Sequence, residues 1–323
     1  AGGFIAGVMA GASARYGRLC TMKATEDALI GEDYRGALAW TNALVVAALL
    51  TVLLGAAGLA NLSASLFAGP RLNILGVTLG GLVFGLGMTL VGTCSFGLLV
   101  RAGGGDLRAI VTAIIVGISA YATTGGVLAP ARNWLVSAGQ WDMSAYGGVR
   151  LDQVLQARVG EGVMRLALVI VLVSLGVLLF RHRSLRHRRR MVFASLTMGM
   201  AIAVGWLSTT VAMEQMTAAR VQSLSFVAPV GRLLLQAMIE PFREIGFGSA
   251  AVAGVAAASF VVAALKRELR WEAFDDASEM RRHMIGGFCM GAGGSWRRDA
   301  RSARACPGAV RSPFPPRCSS AAS

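Results

Sequence analysis

The chain has 323 residues, of which 55% are hydrophobic and 15% charged, with a formal net charge of +14 and a mean hydropathy of +0.60. So apolar a chain is not a soluble globular protein, and its five cysteines, with no CxxC pair, are not a disulfide scaffold. Uncharged runs recur at Gly36–Pro70, Leu72–Val100, Ala109–Ala131, Leu166–Phe180, Met191–Met213 and Ile245–Leu265, most of them at or above the ~20 residues that a helix needs to cross a bilayer.

The positive charge does not point to nucleic acid. Its densest cluster, Arg181–Arg190 (RHRSLRHRRR), lies between two apolar runs. A short basic loop there acts as a topology determinant held in the cytoplasm, with anionic-lipid contact as an added role.

In chain order, Ala1–Ala14 is an apolar segment without a basic n-region, expected to be a membrane segment whose beginning is missing rather than a signal peptide. Thr25–Arg35 is charged and interfacial, and Gly36–Leu62 is a full span. Leu72–Val100 is a glycine-rich segment, read as a broken or re-entrant helix. Arg101–Arg108 (RAGGGDLR) is a polar turn, and Ala109–Leu128 a span ending before Pro130. An amphipathic loop, Ala131–Gly162, carries Trp134 and Trp141, residues suited to a membrane–water interface.

Val163–Phe180 and Met191–Met213 flank the arginine loop as two further spans. Within Glu214–Glu244, the short pieces Val221–Gly231 and Leu233–Ile239 suit interfacial or partly inserted helices. Ile245–Leu265 is a span, and Lys266–His283 a charged amphipathic stretch. With Arg181–Arg190 cytoplasmic, Lys266–His283 and Arg101–Arg108 fall on the same side, and Ala131–Gly162 and Glu214–Glu244 on the other.

Gly80–Gly97 reads GGLVFGLGMTLVGTCSFG. Glycine-rich, polar backbone at membrane depth is tolerated where it packs on protein or lines a cavity, so this stretch marks a transport or conduction site. Its first part, Gly80 to Gly87, has the pattern G-G-x-x-x-G-x-G, which returns at Gly286 to Gly293. Internal repeats mark the interface that holds a transporter's site. Gly85, Gly87, Gly291 and Gly293 are therefore candidate path positions. After Gly294 the second copy turns abruptly into SWRRDARSARACPGAVRSPFPPRCSSAAS. Such a basic, Pro-rich tail reads as frameshifted or disordered, and Cys306 and Cys318 receive no role. The expected organisation is residues 1–130 as a first membrane repeat, 131–162 as an external loop, 163–294 as an incomplete second repeat and 295–323 as the aberrant tail.

The three histidines, His182, His187 and His283, fall in basic polar stretches, and no metal-ligand spacing, nucleophile triad or phosphate loop is visible. No cofactor, metal or enzyme activity is expected. The apolar runs hold no carboxylate or lysine, against a proton relay of the usual ionisable kind. Cys94, within Gly92, Thr93, Cys94 and Ser95, reads either as a small packed thiol or as a pore-lining one beside exposed amides, suited to a soft sulfur-bearing anion. Cys20 follows the first apolar segment in the same manner, with Arg15, Arg18 and Lys23 nearby to favour an anion. Cys289, in a spacer slot, is expected to pack.

The stretch GGLVFGLGMTLVGTCSFGLLVRAGGGDLR resembles the signature of the YeeE/YedE-type sulfur transport family of thiosulfate uptake proteins. Arg15–Thr21 resembles that family's N-terminal cysteine motif, and Gly246–Gly293 its second half. The resemblance implies an all-α polytopic protein of the bacterial inner membrane, an inverted-repeat bundle with broken Gly-rich helices. It implies a path for thiosulfate or a related sulfur oxyanion lined by thiols, of which Cys94 and Cys20 match two. The family's third cysteine sits in a G-C-T-x-G-x-G motif after the second glycine repeat, and no such motif follows Gly293. Two other readings stay open: a membrane component that delivers sulfur or selenium to a cytoplasmic sulfurtransferase-type partner, and a structural membrane protein whose glycines serve only packing.

Overall fold

A helix satisfies its own backbone hydrogen bonds, so it is the economical structure for an uncharged run in lipid, and helices are what these runs form. A computed structural model of the chain describes residues 1–59, 71–142, 168–177, 189–214, 222–239 and 245–296. In chain order these form α1 (Gly2–Gly17), α2 (Thr21–Leu29), α3 (Arg35–Ala56), β1 (Arg71–Asn73), α4 (Ile74–Val91), α5 (Ser95–Ala102), α6 (Leu107–Gly125) and α7 (Ala129–Ala138). There follow β2 (Gln140–Asp142), α8 (Leu168–Val177), α9 (Arg189–Glu214), α10 (Ala228–Ile239), α11 (Phe247–Leu265) and α12 (Ala277–Trp296). Among the described residues, α3, α4 with α5, α6, α9 and α11 are each long and apolar enough to span a membrane. The molecule is an all-α polytopic membrane protein, with one short antiparallel ribbon in which Leu72 pairs with Trp141.

Several expectations are refined. The Leu72–Val100 segment is a broken helix, α4 and α5. The loop expected at Ala131–Gly162 begins as helix α7, started by Pro130 in its first turn, and continues into β2. Pro fits there because its missing N–H lies where a helix has no internal acceptor. Trp134 and Trp141 are 72% and 66% exposed, as interfacial residues are. His283 is not in a polar loop. It is buried on α12, where its Nδ1 lies 3.0 Å from the Glu279 carbonyl oxygen and its ring meets Phe274 edge-on. The expected span Gly36–Leu62 ends as a helix at Ala56, and of Val163–Phe180 only Leu168–Val177 is described. Residues 60–70, 143–167, 178–188, 215–221, 240–244 and 297–323 lie outside the described residues, among them most of the arginine loop and of the unusual tail.

The bundle buries small residues and exposes large ones. Ala6, Ala10, Ala39, Ala120, Ala194, Ala201, Ala251 and Ala263 are fully buried, whereas Leu44, Leu82, Leu86, Ile118 and Phe193 are more than 60% exposed. Hydrocarbon chains solvate leucine as well as a protein core does, so membrane helices gain by close backbone approach instead. Gly3, Gly7 and Gly11 of α1 press in turn on Phe247, Ala251 and Val255 of α11, a parallel pair. The two glycine repeats press on each other in antiparallel register. A Cβ placed on Gly87 would lie 2.6 Å from the Gly286 carbonyl oxygen, and one on Gly80 would lie 2.7 Å from that of Gly293. On another face of α12, Gly287 and Gly291 meet Thr112 and Val116 of α6, in parallel. Gly17 and Gly2 set α1 antiparallel to α9, through Ala194 and Ser208, and the Asn42–Ser195 hydrogen bond of 2.7 Å sets α3 parallel to α9.

These pairings fix direction. The C-terminal ends of α1, α5 and α11 and the N-terminal ends of α3, α6, α9 and α12 share one face of the bundle. Arg15, Arg18, Arg35, Arg101, Arg108, Arg189, Arg190 and Lys266 all lie near those ends, so most of the basic charge of the described residues is collected on that face.

Gly85, two residues before Gly87 and so on the other side of α4, has nothing within 4 Å of the place its Cβ would take. Gly87→Ala is therefore expected to lower the melting temperature of the detergent-solubilised protein, by overpacking worth about 1–3 kcal/mol. Gly85→Ala is expected to leave it unchanged or raise it, since alanine is favoured over glycine in a helix by about 1 kcal/mol. A thermal melt of both variants checks the pair.

Candidate functional site

Two turns of the same design interrupt the bundle. Helix α1 ends at Arg18 in the left-handed region (φ 53°), and Leu19 then leads to Cys20, the extended N-cap of α2. Helix α4 ends at Gly92, also left-handed (φ 76°), and Thr93 leads to Cys94, the extended N-cap of α5. Glycine accepts the left-handed conformation without steric cost, which explains its place after Val91. In the second turn the cysteine caps its own helix: Cys94 Sγ accepts from the Gly97 N–H at 3.4 Å. The two turns meet, with Cys20 Sγ 3.8 Å from Thr93 Oγ1.

A third segment reaches the same region. After α9 the chain returns as an irregular stretch held to that helix, the Thr209 hydroxyl donating to the Gln222 carbonyl at 2.7 Å and Ser223 Oγ to that of Ile202 at 3.0 Å. Phe226 then packs on Phe96 of α5, ring centroids 4.8 Å apart, immediately before α10 begins. The pieces expected to be interfacial or partly inserted thus supply a short inserted helix whose start faces the Cys94 turn. Sequence reading did not single out Ser223 or Phe226. The signal for them was Pro229, which suits the first turn of a helix.

The N-termini of α2, α5 and α10 therefore lie around one region. A helix N-terminus presents unpaired N–H groups and a partial positive charge, which favours an anion. Cys20 also lines a cavity of about 960 Å³ that opens on the basic face. Its wall holds Arg18, Lys23, Arg35, Arg189, Arg190 and Lys266 against Asp27, Asp33 and Glu268. Lys23 pairs with Asp27, Arg35 with Asp33 and Arg18 with Glu268. Among the described residues, Arg189, Arg190 and Lys266 have no carboxylate partner, so the cavity keeps an excess of positive charge. The Trp40 indole N–H on its wall and the Thr21 hydroxyl next to Cys20 are buried with no hydrogen-bond partner among the described residues.

The remaining candidate positions divide. Thr93 and Ser95 are buried with Cys94 at the turn, and Cys94, at 9% exposed, is packed behind the cavity rather than on its wall. Gly87, Gly291 and Gly293 are in direct helix contact, and Gly85 faces open space. Cys289 is partly buried on α12.

An ion-pair cluster ties the α5–α6 turn to the α11–α12 connection. Asp106 caps α6, accepting from the Ala109 N–H, and is paired by Arg101 at 2.7 Å and Arg108 at 3.3 Å. Arg108 also pairs with Glu272 and Glu279. The backbones join here too, Leu107 N–H donating to the Glu272 carbonyl at 2.9 Å and Arg270 N–H to that of Gly104 at 3.2 Å. Gly105 (φ 97°) lies so close to the Arg270 carbonyl that a side chain has no room. At the head of α12, the Ser278 hydroxyl and the backbone N–H groups of Ala277 and Ser278 hold the Asp276 carboxyl below the usual carboxylate range.

Two outcomes follow. Asp106→Ala removes the α6 cap and the carboxylate that Arg101 and Arg108 share, while Arg108 keeps Glu272 and Glu279, and is expected to destabilise the protein by about 1–2 kcal/mol. Lys23→Ala, which breaks an exposed i,i+4 pair, is expected to cost less than about 0.5 kcal/mol; chemical denaturation in detergent compares the two. A water-soluble maleimide applied to the folded protein is expected to modify Cys20 at least tenfold faster than Cys94, read by mass spectrometry of the peptides.

A curated relative, the thiosulfate transporter TsuA of Spirochaeta thermophila, is 36% identical over 135 residues. The matched stretch is 41% of this chain and 39% of the relative's length, so it spans well under half of that protein. The family model described as sulphur transport matches residues 16–297, which takes in both cysteine turns, the ion-pair cluster and both glycine repeats. The chain belongs to the sulphur transport family.

Proposed function

We propose that this protein is a bacterial inner-membrane permease that passes thiosulfate or a related sulfur oxyanion along a path by way of Cys20, Thr93 and Cys94. The observation that carries this reading is the contact of the two matching turns, Cys20 Sγ to Thr93 Oγ1 at 3.8 Å, at the inner end of a cavity with excess positive charge. A divalent anion entering lipid depth must lose water. Fixed N–H groups at the starts of α2, α5 and α10 replace part of that hydration with little reorganisation. Thiols and hydroxyls add weak contacts to a polarisable sulfur, and conduction needs several sites that bind weakly enough to release. No step forms or breaks a covalent bond, so the protein is no enzyme in this reading.

The basic face is cytoplasmic in this scheme, because short loops rich in Arg and Lys stay on that side. The bundle is then an inverted repeat. The antiparallel contacts of α1 with α9 and of α4 with α12, and the parallel contacts of α1 with α11 and of α9 with α3, are those that a two-fold axis in the membrane plane produces. Under it α10 corresponds to α2.

Reconstituted into liposomes, the chain is expected to take up radiolabelled thiosulfate, and Cys20→Ser and Cys94→Ser are each expected to reduce the initial rate at least tenfold. Rates unchanged by both substitutions, or no uptake by the unsubstituted chain, overturn the reading. The alternative of sulfur delivery to a cytoplasmic sulfurtransferase-type partner predicts a different outcome in cells: growth on thiosulfate is lost when the basic cavity is mutated while uptake persists.

A further inference from the structure

A second cavity, of about 670 Å³, lies in a groove between α1, α9 and α11 and has no part in the proposed path. Its floor and walls are mainly apolar, with Val8, Met9 and Ala12 of α1, Phe193 and Ala194 of α9 and Val262 of α11, beside the small hydroxyl side chains of Ser13 and Thr197. Along α1 it runs from Val8 to Tyr16, about 12 Å at 1.5 Å per residue, most of one leaflet of a ~30 Å hydrocarbon core. At that end stand Tyr16, Arg189 and Arg190, which also border the basic cavity.

The charge at this end is one-sided. Arg189 and Arg190 are exposed and, among the described residues, without a carboxylate partner. The Tyr16 ring lies between two cations, with Lys266 Nζ 4.6 Å and Arg190 Cζ 6.0 Å from its centroid. Phe193 keeps 65% of its surface open on the groove's wall. A long apolar slot with cations gathered at its membrane-surface end matches one kind of occupant: an amphiphile with hydrocarbon chains and a negatively charged head. A zwitterionic lipid would bring a positive group to the same cations, and a free anion would leave the apolar slot unused.

We infer that the α1–α9–α11 groove is a binding site for an anionic phospholipid, with an acyl chain along Val8, Ala12, Phe193 and Val262 and the phosphate against Arg189 and Arg190. Basic pockets between membrane helices select acidic headgroups in this way. The site also has a structural consequence. A lipid lodged there touches α1, α9 and α11 together, and so braces the first helix, whose end carries the Cys20 turn.

Native mass spectrometry of the full chain in detergent, supplied with phosphatidylglycerol or phosphatidylcholine of matched chains, tests this. Phosphatidylglycerol is expected to be retained at least tenfold better than phosphatidylcholine. The double variant Arg189→Gln/Arg190→Gln is expected to lose that preference, and Arg189→Lys/Arg190→Lys to keep most of it. Ala12→Phe, which fills the slot and leaves the charges in place, is expected to reduce retention of both lipids. Equal retention of the two lipids by the unsubstituted chain overturns the proposal, as does an undiminished preference in the glutamine variant. Displacement of phosphatidylglycerol by millimolar inorganic phosphate also overturns it, because the site is then one for a free ion. If the glutamine variant does not fold, retention by Ala12→Phe equal to that of the unsubstituted chain overturns it.

Discussion

Helices in this protein touch through their backbones, and most of the remaining structure depends on that contact. In lipid there is no gain in hiding a leucine from its surroundings, so attraction between helices comes from approach close enough for dispersion and peptide dipoles to act. Glycine allows it. Where Gly87 meets Gly286 and Gly80 meets Gly293, two helices of opposite direction lock along the length of the repeat. Helix α12 uses Gly287 and Gly291 to lock α6 on a second face. The same contacts hold the broken helix α4–α5 in place from outside, so its interior end need not be held by its own continuity.

That support is what allows the interruptions. A helix break at membrane depth exposes N–H and C=O groups that lipid cannot satisfy. Here the α4–α5 break and the stretch before α10 are held by protein. The Gly92 N–H bonds back to Met88, the Gly97 N–H is met by Cys94 Sγ, and the irregular stretch before α10 is fastened to Thr209 and Ile202 on α9. The groups left free at the helix starts are donors, and donors suit an anion. Packing and breakage thus form one chain of cause, from small residues to close helices to tolerated breaks that leave N–H donors at the helix starts.

The charged face is a separate construction. The Asp106 cluster and the backbone bonds between Gly104–Leu107 and Arg270–Glu272 close the bundle at the end where α5, α6, α11 and α12 meet. Those ion pairs largely neutralise one another. The cations around Cys20 do not, since Asp27, Asp33 and Glu268 match only part of them. The same face therefore has a neutralised, structural half and a half with spare positive charge, bordered by the cavity and the apolar groove between α1, α9 and α11.

Composition and pattern were enough to establish a polytopic membrane protein, to locate the spans α3, α4–α5, α6, α9 and α11 to within about six residues at either end and to pick out the two glycine repeats and the residues Cys20 and Cys94. These are local properties: an uncharged run, a left-handed glycine, a small residue every fourth position. The third inserted segment was only half legible, because the pattern of residues 222–239 suits an interfacial helix as well as an inserted one, and contact between Phe226 and Phe96 decides between them. His283 looked polar and loop-borne because its neighbours are charged, yet the first turns of α12 carry it into the packed interior. Which repeat glycine touches a helix and which faces open space, and that Thr93 reaches a cysteine 73 positions earlier in the chain, belong to the tertiary structure alone. They depend on which helices pair and in which direction, and that is settled by how surfaces far apart in sequence fit together.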